Sequence, residues 1–87
     1  MTAEEELLTF PCDFPIKVMG RSEAGFRQRI DEIVQRHFAV DNSNISEQPS
    51  RNGRFVSLTF TVRAVDRAGL DALYQELSAD KRVLMAL

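Results

Sequence analysis

Apolar and polar residues alternate most regularly over residues 54–62, RFVSLTFTV. A period of two is typical of a strand with one buried face and one solvent-facing face. The positions expected to face inward are Val56, Leu58, Phe60 and Val62. The positions expected on the other face are Phe55, Ser57, Thr59 and Thr61.

Three more strands are predicted around this one. Asn52-Gly53 supplies the positive φ values of a tight primed turn, so Ile45–Pro49 is expected to be a hairpin partner. That partner is short and polar and carries Pro49, which suits an edge strand. Residues 14–19 and 82–87 form the other two predicted strands, and the last is apolar on both faces.

Two segments have the 3.6-residue period of amphipathic helices. The first is expected at about residues 22–38, with Ser22 as its N-cap. The second is expected after an N-cap at Asp66 and ends at residues 78–80. Its apolar stripe consists of Leu70, Leu73, Tyr74 and Leu77.

The element order is therefore β-α-β-β-α-β. A right-handed crossover after the first strand leaves a gap that the third strand fills by its hairpin, and the second helix returns the chain to the first strand's far side. This predicts an α+β, ferredoxin-like sandwich with an antiparallel sheet of order 4-1-3-2 and both helices on one face. We expect a single domain over residues 10–87, preceded by a flexible or short helical lead over residues 1–9.

Composition narrows the classes of function. The 87 residues carry a formal net charge of −2, and the basic residues are scattered among acids, so neither nucleic acid nor a membrane surface is an expected partner. The three acids at Glu4, Glu5 and Glu6 are unlike a secretory leader, and a single cysteine allows no internal disulfide. A cytoplasmic protein is predicted, and no metal-ligand spacing or cofactor motif is present.

Cys12 and His37 are the residues of the chain most suggestive of catalysis, because the predicted topology places both toward one end of the domain. A nucleophilic thiolate needs a base and a group that orients the base, and only Asp13 is near in sequence. The simpler interpretation is a packed thiol beside a histidine that interacts with the helix dipole. We therefore predict that the protein is not an enzyme and has no catalytic residues.

RNA-recognition modules share this topology and stack bases on aromatic residues of the two central strands. When their third-strand motif is placed on residues 55–58, one stacking ring is missing, and Lys17 occupies the outward position on the first strand where an aromatic is needed. Only Phe55 remains as a platform, so RNA binding is not expected.

The segments FPCDFPIKVMG, QRHF, NGRFVSLTFTVRA, LDALYQEL and RVLMAL together resemble the YbeD-like family of small bacterial proteins of unknown function. The resemblance covers the chain from Phe10 onward. It implies a ferredoxin-like fold akin to the ACT regulatory domains of amino-acid metabolism. It also implies an association with lipoate-biosynthesis genes, and from this a regulatory role.

Two binding hypotheses remain open. In ACT-like domains the turn after the first strand encloses a small effector, and here Gly20, Arg21 and Ser22 occupy that turn, where helix N–H groups and Arg21 would suit a carboxylate metabolite. The sequence departs from that pattern because Met19 precedes Gly20, where an acidic residue is common.

The second hypothesis is a regulatory or adaptor domain that acts by protein–protein contact. The last strand is an apolar edge, of the kind that proteins normally blunt. Pairing of this edge with an unknown protein partner or with a second copy in a homodimer would involve Val83, Met85 and Leu87.

Overall fold

The structure is a computed structural model, and it describes residues 9–87. The strands are β1 (Cys12–Arg21), β2 (Ile45–Pro49), β3 (Phe55–Ala64) and β4 (Val83–Ala86). The helices are α1 (Phe26–His37) and α2 (Arg67–Ala79), and a short 3-10 turn spans Asn42–Asn44. The sheet has the order β2-β3-β1-β4 with antiparallel pairing throughout. This is the predicted order seen from its other edge, so the predicted ferredoxin-like α+β fold is confirmed.

The central pair of strands determines which side chains are buried. β1 and β3 pair over ten positions, from Cys12 opposite Ala64 to Arg21 opposite Phe55. The inward pairs include Ile16 with Phe60 and Val18 with Leu58, and all four side chains are fully buried. Because side chains alternate along a strand, this register leaves the other face of the sheet open.

Both helices pack on the inward face of the sheet through apolar stripes. α1 buries Phe26, Ile30, Ile33 and Val34. α2 buries Leu70, Leu73 and Leu77. The predicted N-cap of the second helix is confirmed, because Asp66 Oδ1 accepts a 2.8 Å hydrogen bond from the Gly69 amide.

The predicted start of the first helix is wrong. α1 begins at Phe26, and Gly25, with a φ of 84°, occupies the N-cap position without a side-chain hydrogen bond. Ser22 is not the cap, because its amide donates a 2.8 Å hydrogen bond to the Arg54 carbonyl. The pairing of β1 with β3 thus continues through Arg21, and the hydrogen bond to Arg54 keeps Ser22 beside β3 instead of at the start of the helix. The lead expected over residues 1–9 lies outside the described residues, apart from Thr9.

Gly20 is buried inside β1, at the place where α1 and β4 come closest to the strand. A Cβ at this position would collide with the ring of Phe26 and would lie 2.6 Å from the Arg82 carbonyl oxygen. The missing side chain therefore makes room for an aromatic ring of α1 and for the backbone that leads into β4.

We expect Gly20→Ala to lower the free energy of unfolding by about 1–3 kcal/mol, the usual cost of inserting a methyl group into a packed core. Urea unfolding followed by circular dichroism measures this. Gly69→Ala is the matched control, because its Cβ would meet nothing nearer than Asp66 Oδ1 at 3.3 Å. The control should change stability by no more than about 1 kcal/mol. Equal losses in the two variants would contradict the role given to Gly20.

Candidate functional site

The three residues predicted to bind a carboxylate do not form a helix N-terminus. Gly20 and Arg21 belong to β1, and the chain passes three further residues before the cap at Gly25. The amide of Ser22 donates to Arg54, and that of Glu23 donates to the Arg21 carbonyl at 2.8 Å. The amides of Ser22 and Glu23 are thus occupied within the fold. The guanidinium of Arg21 is the group at these positions that could still hold an anion.

Arg21 lies between two clefts at the end of the sheet where β1 finishes. One cleft, of about 560 Å³, is lined by Arg21, Glu23, Lys81, Arg82 and Leu84. The other, of about 360 Å³, is lined by Arg21, Ser22, Glu23, Arg54 and Phe55. We call Arg21, Arg54, Lys81 and Arg82 the basic end.

The basic end is short of carboxylates. Within residues 9–87, the side chains of Arg21, Arg54 and Lys81 form no hydrogen bond or salt bridge. The guanidinium of Arg82 lies 3.9 Å from Asp80 Oδ1, and Glu23 is the acid that lines both clefts. The arrangement can attract an anion, because most of its charge is not neutralised by the fold.

Asp80 fixes the segment that carries Lys81 and Arg82. Its Oδ1 accepts a 2.8 Å hydrogen bond from the Arg82 amide, and its Oδ2 accepts one of 3.1 Å from Arg29 Nε in α1. The side chain is only 6% exposed. The hydrogen bond from the Arg82 amide, together with the hydrogen bond and charge of Arg29, lowers the pKa of Asp80 below its ordinary value. The ionised carboxylate therefore connects α1, the end of α2 and the start of β4.

The three residues predicted to form the interaction edge differ in their pairing with β1 and in their exposure. Val83 pairs with Gly20 and packs against the core. Met85 lies opposite Met19 and is 49% exposed, whereas Leu87 is 61% exposed and exchanges backbone hydrogen bonds of 2.8 and 3.0 Å with Lys17.

Sequence reasoning did not single out Leu84, although its side chain is 56% exposed. Met19 pairs with Met85 and Gly20 pairs with Val83, so Leu84 is an extra residue of β4 at a shift in the register. A regular alternation would have put Leu84 and Ala86 on one face, and no sequence signal marks the irregularity. Leu84 thus adds to the exposed apolar surface that Met85 and Leu87 form at this edge.

The structure brings His37 to Glu76, not to Cys12. His37 Nε2 lies 2.7 Å from Glu76 Oε1, and Arg36 Nη2 lies 2.6 Å from Glu76 Oε2. Cys12 is partly buried opposite Ala64, and among the described residues no hydrogen bond joins its thiol to the imidazole. The contacts of His37 are those of a residue that ties α1 to α2.

Residues 9–87 show neither a metal-binding cluster nor a membrane-spanning helix. No group of three or more histidine, cysteine, aspartate or glutamate side chains is placed to hold a metal ion. No helix in this part of the chain has the length and apolar character needed to cross a membrane.

Fold and surface together define a small ferredoxin-like α+β domain with an open sheet face, an apolar edge strand and a basic end. A family model described as "Protein of unknown function (DUF493)" matches residues 5–87. The chain belongs to this family, and its resemblance to the YbeD-like proteins is confirmed.

Relatives and one solved structure are similar over nearly the whole chain. "UPF0250 protein NE1487" of Nitrosomonas europaea is 45% identical, over 97% of this chain and 98% of its own. "UPF0250 protein BPP0168" of Bordetella parapertussis is 44% identical, over 97% of this chain and 93% of its own. The solution structure of protein HP0495 from H. pylori has a TM-score of 0.75 at 14% identity, covering 100% of this chain and 94% of that one. At that identity the likeness supports the fold alone.

Asp80→Asn should lower the free energy of unfolding at neutral pH by about 1–2 kcal/mol, because the variant loses charged hydrogen bonds. The native pKa is depressed, so this stabilisation is complete above the unfolded-state pKa and is lost as pH falls through the folded pKa. Urea unfolding between neutral and acidic pH should therefore show the two proteins converging at low pH. A constant difference across that range would contradict the assignment.

Proposed function

We propose that this protein is a non-enzymatic regulatory or adaptor domain that acts by protein–protein contact and forms a homodimer through β4. One observation carries the proposal. Of the five large apolar side chains that the described residues leave exposed, three belong to the final strand and its end: Leu84, Met85 and Leu87. Clustered apolar exposure at an edge strand is a feature of interaction surfaces.

The two edges of the sheet differ in how well they are protected. β2 ends at Pro49, and Glu47, within it, pairs with Arg27 of α1 at 3.1 Å. Proline and charge are the usual means of blocking an edge. The described part of β4 carries neither, and Arg82 precedes it. Pairing between copies is therefore favoured at β4.

The flank of α2 beside β4 would enlarge such an interface. Glu76 and Asp80 contact α1, so the helical period places Asp71, Tyr74 and Ser78 on the opposite flank. α2 also packs against β4. Antiparallel pairing of two β4 strands about a two-fold axis would bring two such flanks together, and Tyr74 offers a half-buried aromatic ring there.

The homodimer predicts a particle of twice 9.9 kDa in sedimentation equilibrium. The protein concentration should reach on the order of 100 µM, which exceeds the micromolar dissociation constants of weak interfaces of standard size. Leu84→Lys should shift the population to monomer, because antiparallel pairing places two introduced charges near the two-fold axis.

Val65→Lys is the matched control for this experiment. Val65 is 66% exposed and follows β3 at the opposite end of the sheet, so the same substitution there should leave the dimer intact. A monomeric parent protein at this concentration, or equal effects of the two substitutions, would refute pairing through β4.

A second candidate function is the sensing of a small carboxylate metabolite. It is supported by the cleft that Arg21, Lys81, Arg82 and Leu84 line together with Glu23, because three cations suit a carboxylate and Leu84 adds an apolar contact. The family resemblance supports including octanoate and lipoate among the compounds tested. Amino acids follow from the likeness to ACT domains.

A thermal-shift panel of these acids at millimolar concentration tests this candidate. A ligand at about 100 times its Kd adds roughly 2.7 kcal/mol. That gain should raise the Tm of a domain of this size by on the order of ten degrees. Arg21→Ala should abolish the shift, whereas Arg63→Ala, an exposed arginine at the far end of β3, should retain it. A flat panel would exclude the carboxylates tested as ligands.

A further inference from the structure

The face of the sheet opposite the helices is uncovered, and its two halves differ. The half nearer Gly20 contains three apolar side chains, Met19, Phe55 and Met85. Met19 and Met85 face each other across β1 and β4, and Phe55 lies opposite Arg21 across β1 and β3. We call these three residues, with Lys17 and Arg21 of the same face, the open-face patch.

The apolar part of the open-face patch is exposed to solvent. Phe55 is 39% exposed and Met85 is 49% exposed. A shallow cleft of about 270 Å³ runs beside Phe55, Met19 and Lys17. Two methionines and a phenylalanine form a deformable surface, because methionine adapts its side chain to irregular contacts.

The cations of the open-face patch face no carboxylate on the open face of the described sheet. Lys17 and Arg21 form no salt bridge among residues 9–87. The acid of β1 on this face, Asp13, lies in the other half and pairs with Arg63 at 3.4 Å.

The nearest other acids do not neutralise this surface. Glu23 lies at the rim, in the clefts beside Arg21. Glu47 is at a helix-side register position opposite Leu58 and bonds to Arg27. The patch thus combines apolar contact area with two positive charges.

We propose that an amphipathic helix with acidic residues, supplied by a partner protein, binds across the open-face patch. A helix packed on a sheet face is one of the standard arrangements that bury such a face. Leucine-type side chains of that helix would contact Met19, Phe55 and Met85, and its glutamates or aspartates would lie beside the two cations.

Single-stranded RNA fits the patch less well. Bases stack on successive aromatic side chains, each worth about 1–3 kcal/mol, and this patch has one ring. Lys17 occupies the position on β1 where a second ring would be needed. The chemistry therefore favours an apolar and acidic protein surface over a chain of bases.

The inference rests on the proposed role in protein–protein contact but uses a different surface. Dimer formation uses the backbone edge of β4, whereas the helix would lie on side chains of β1, β3 and β4 that remain on the face after edge pairing. The two contacts can therefore be tested independently. Sedimentation measures dimer formation, and the amide chemical shifts of the labelled protein measure binding of the helix.

The probe is a synthetic amphipathic helix of about 20 residues, long enough to be helical in part, with leucines along one side and glutamates on the other. Two matched peptides replace every glutamate by glutamine or by lysine. Titrations of the ¹⁵N-labelled full chain are followed by amide chemical shifts. We expect the glutamate peptide to bind with a Kd about fivefold lower than the glutamine peptide, since two surface ion pairs together amount to roughly that factor.

The shifts should be largest at Lys17, Met19, Ser57 and Met85 and small along α1. The double variant Lys17→Glu/Arg21→Glu should reverse the preference and bind the lysine peptide more tightly. Arg63→Glu, on the same face but in the other half, should leave the preference unchanged. Well-dispersed spectra confirm that each variant is folded.

Three results would overturn the proposal. The glutamate peptide could bind no better than the glutamine peptide, or its shifts could map to the helices. A single-stranded RNA of mixed sequence could bind the patch more tightly than the glutamate peptide, which would assign the patch to nucleic acid. A parent protein that binds the glutamate peptide but sediments as a monomer would refute only the proposed homodimer.

Discussion

The pairing of β1 with β3 is the constraint on which the rest of the molecule depends. Its ten-residue register assigns every side chain of the two central strands to one face or the other. Ile16, Val18, Leu58 and Phe60 are fully buried as a result, and both helices pack against the surface that they form. A slip of one residue would exchange the two faces and expose the core, so hydrophobic burial strongly opposes it.

The same register creates the surfaces available for binding. Residues that alternate with the core residues, among them Lys17, Met19 and Phe55, must lie on the uncovered side. Because α1 and α2 share the other side, nothing in the described fold shields them. These surfaces are exposed because the fold has two layers and the helices cover only one side of the sheet.

Most of the fold could be predicted because local patterns and topology agreed. The alternation in β3 and the Asp66 cap each indicated the element that forms there. The Asn52-Gly53 pair indicated the hairpin but not its turn: Gly53 has a φ of 74° and Asn52 has no positive φ, so the predicted tight primed turn is wrong and a longer loop joins β2 to β3. The start of α1 could not be predicted in the same way. Ser22 has the chemistry of a cap, but the continued pairing of β1 with β3 draws its amide to Arg54, and that is a non-local contact. Tertiary pairing here outweighs a local preference.

The candidate surfaces were predicted less completely than the fold. Arg21 and the apolar last strand were recognisable from their chemistry, whereas the approach of Arg54, Lys81 and Arg82 to Arg21 requires the ends of three strands to meet. The exposure of Leu84 depends on a local irregularity in pairing. Such features arise from how elements assemble and leave no periodic signal in the sequence.

A side chain at position 20 and the ring of Phe26 would need the same space. The ring fills the space that a side chain on β1 would need, and the carbonyl of Arg82 closes it from the side of β4. A smaller residue at position 26 would relieve the contact with the ring but not the contact with the Arg82 carbonyl, which belongs to the backbone. Within the family, position 20 should therefore remain glycine even where position 26 varies.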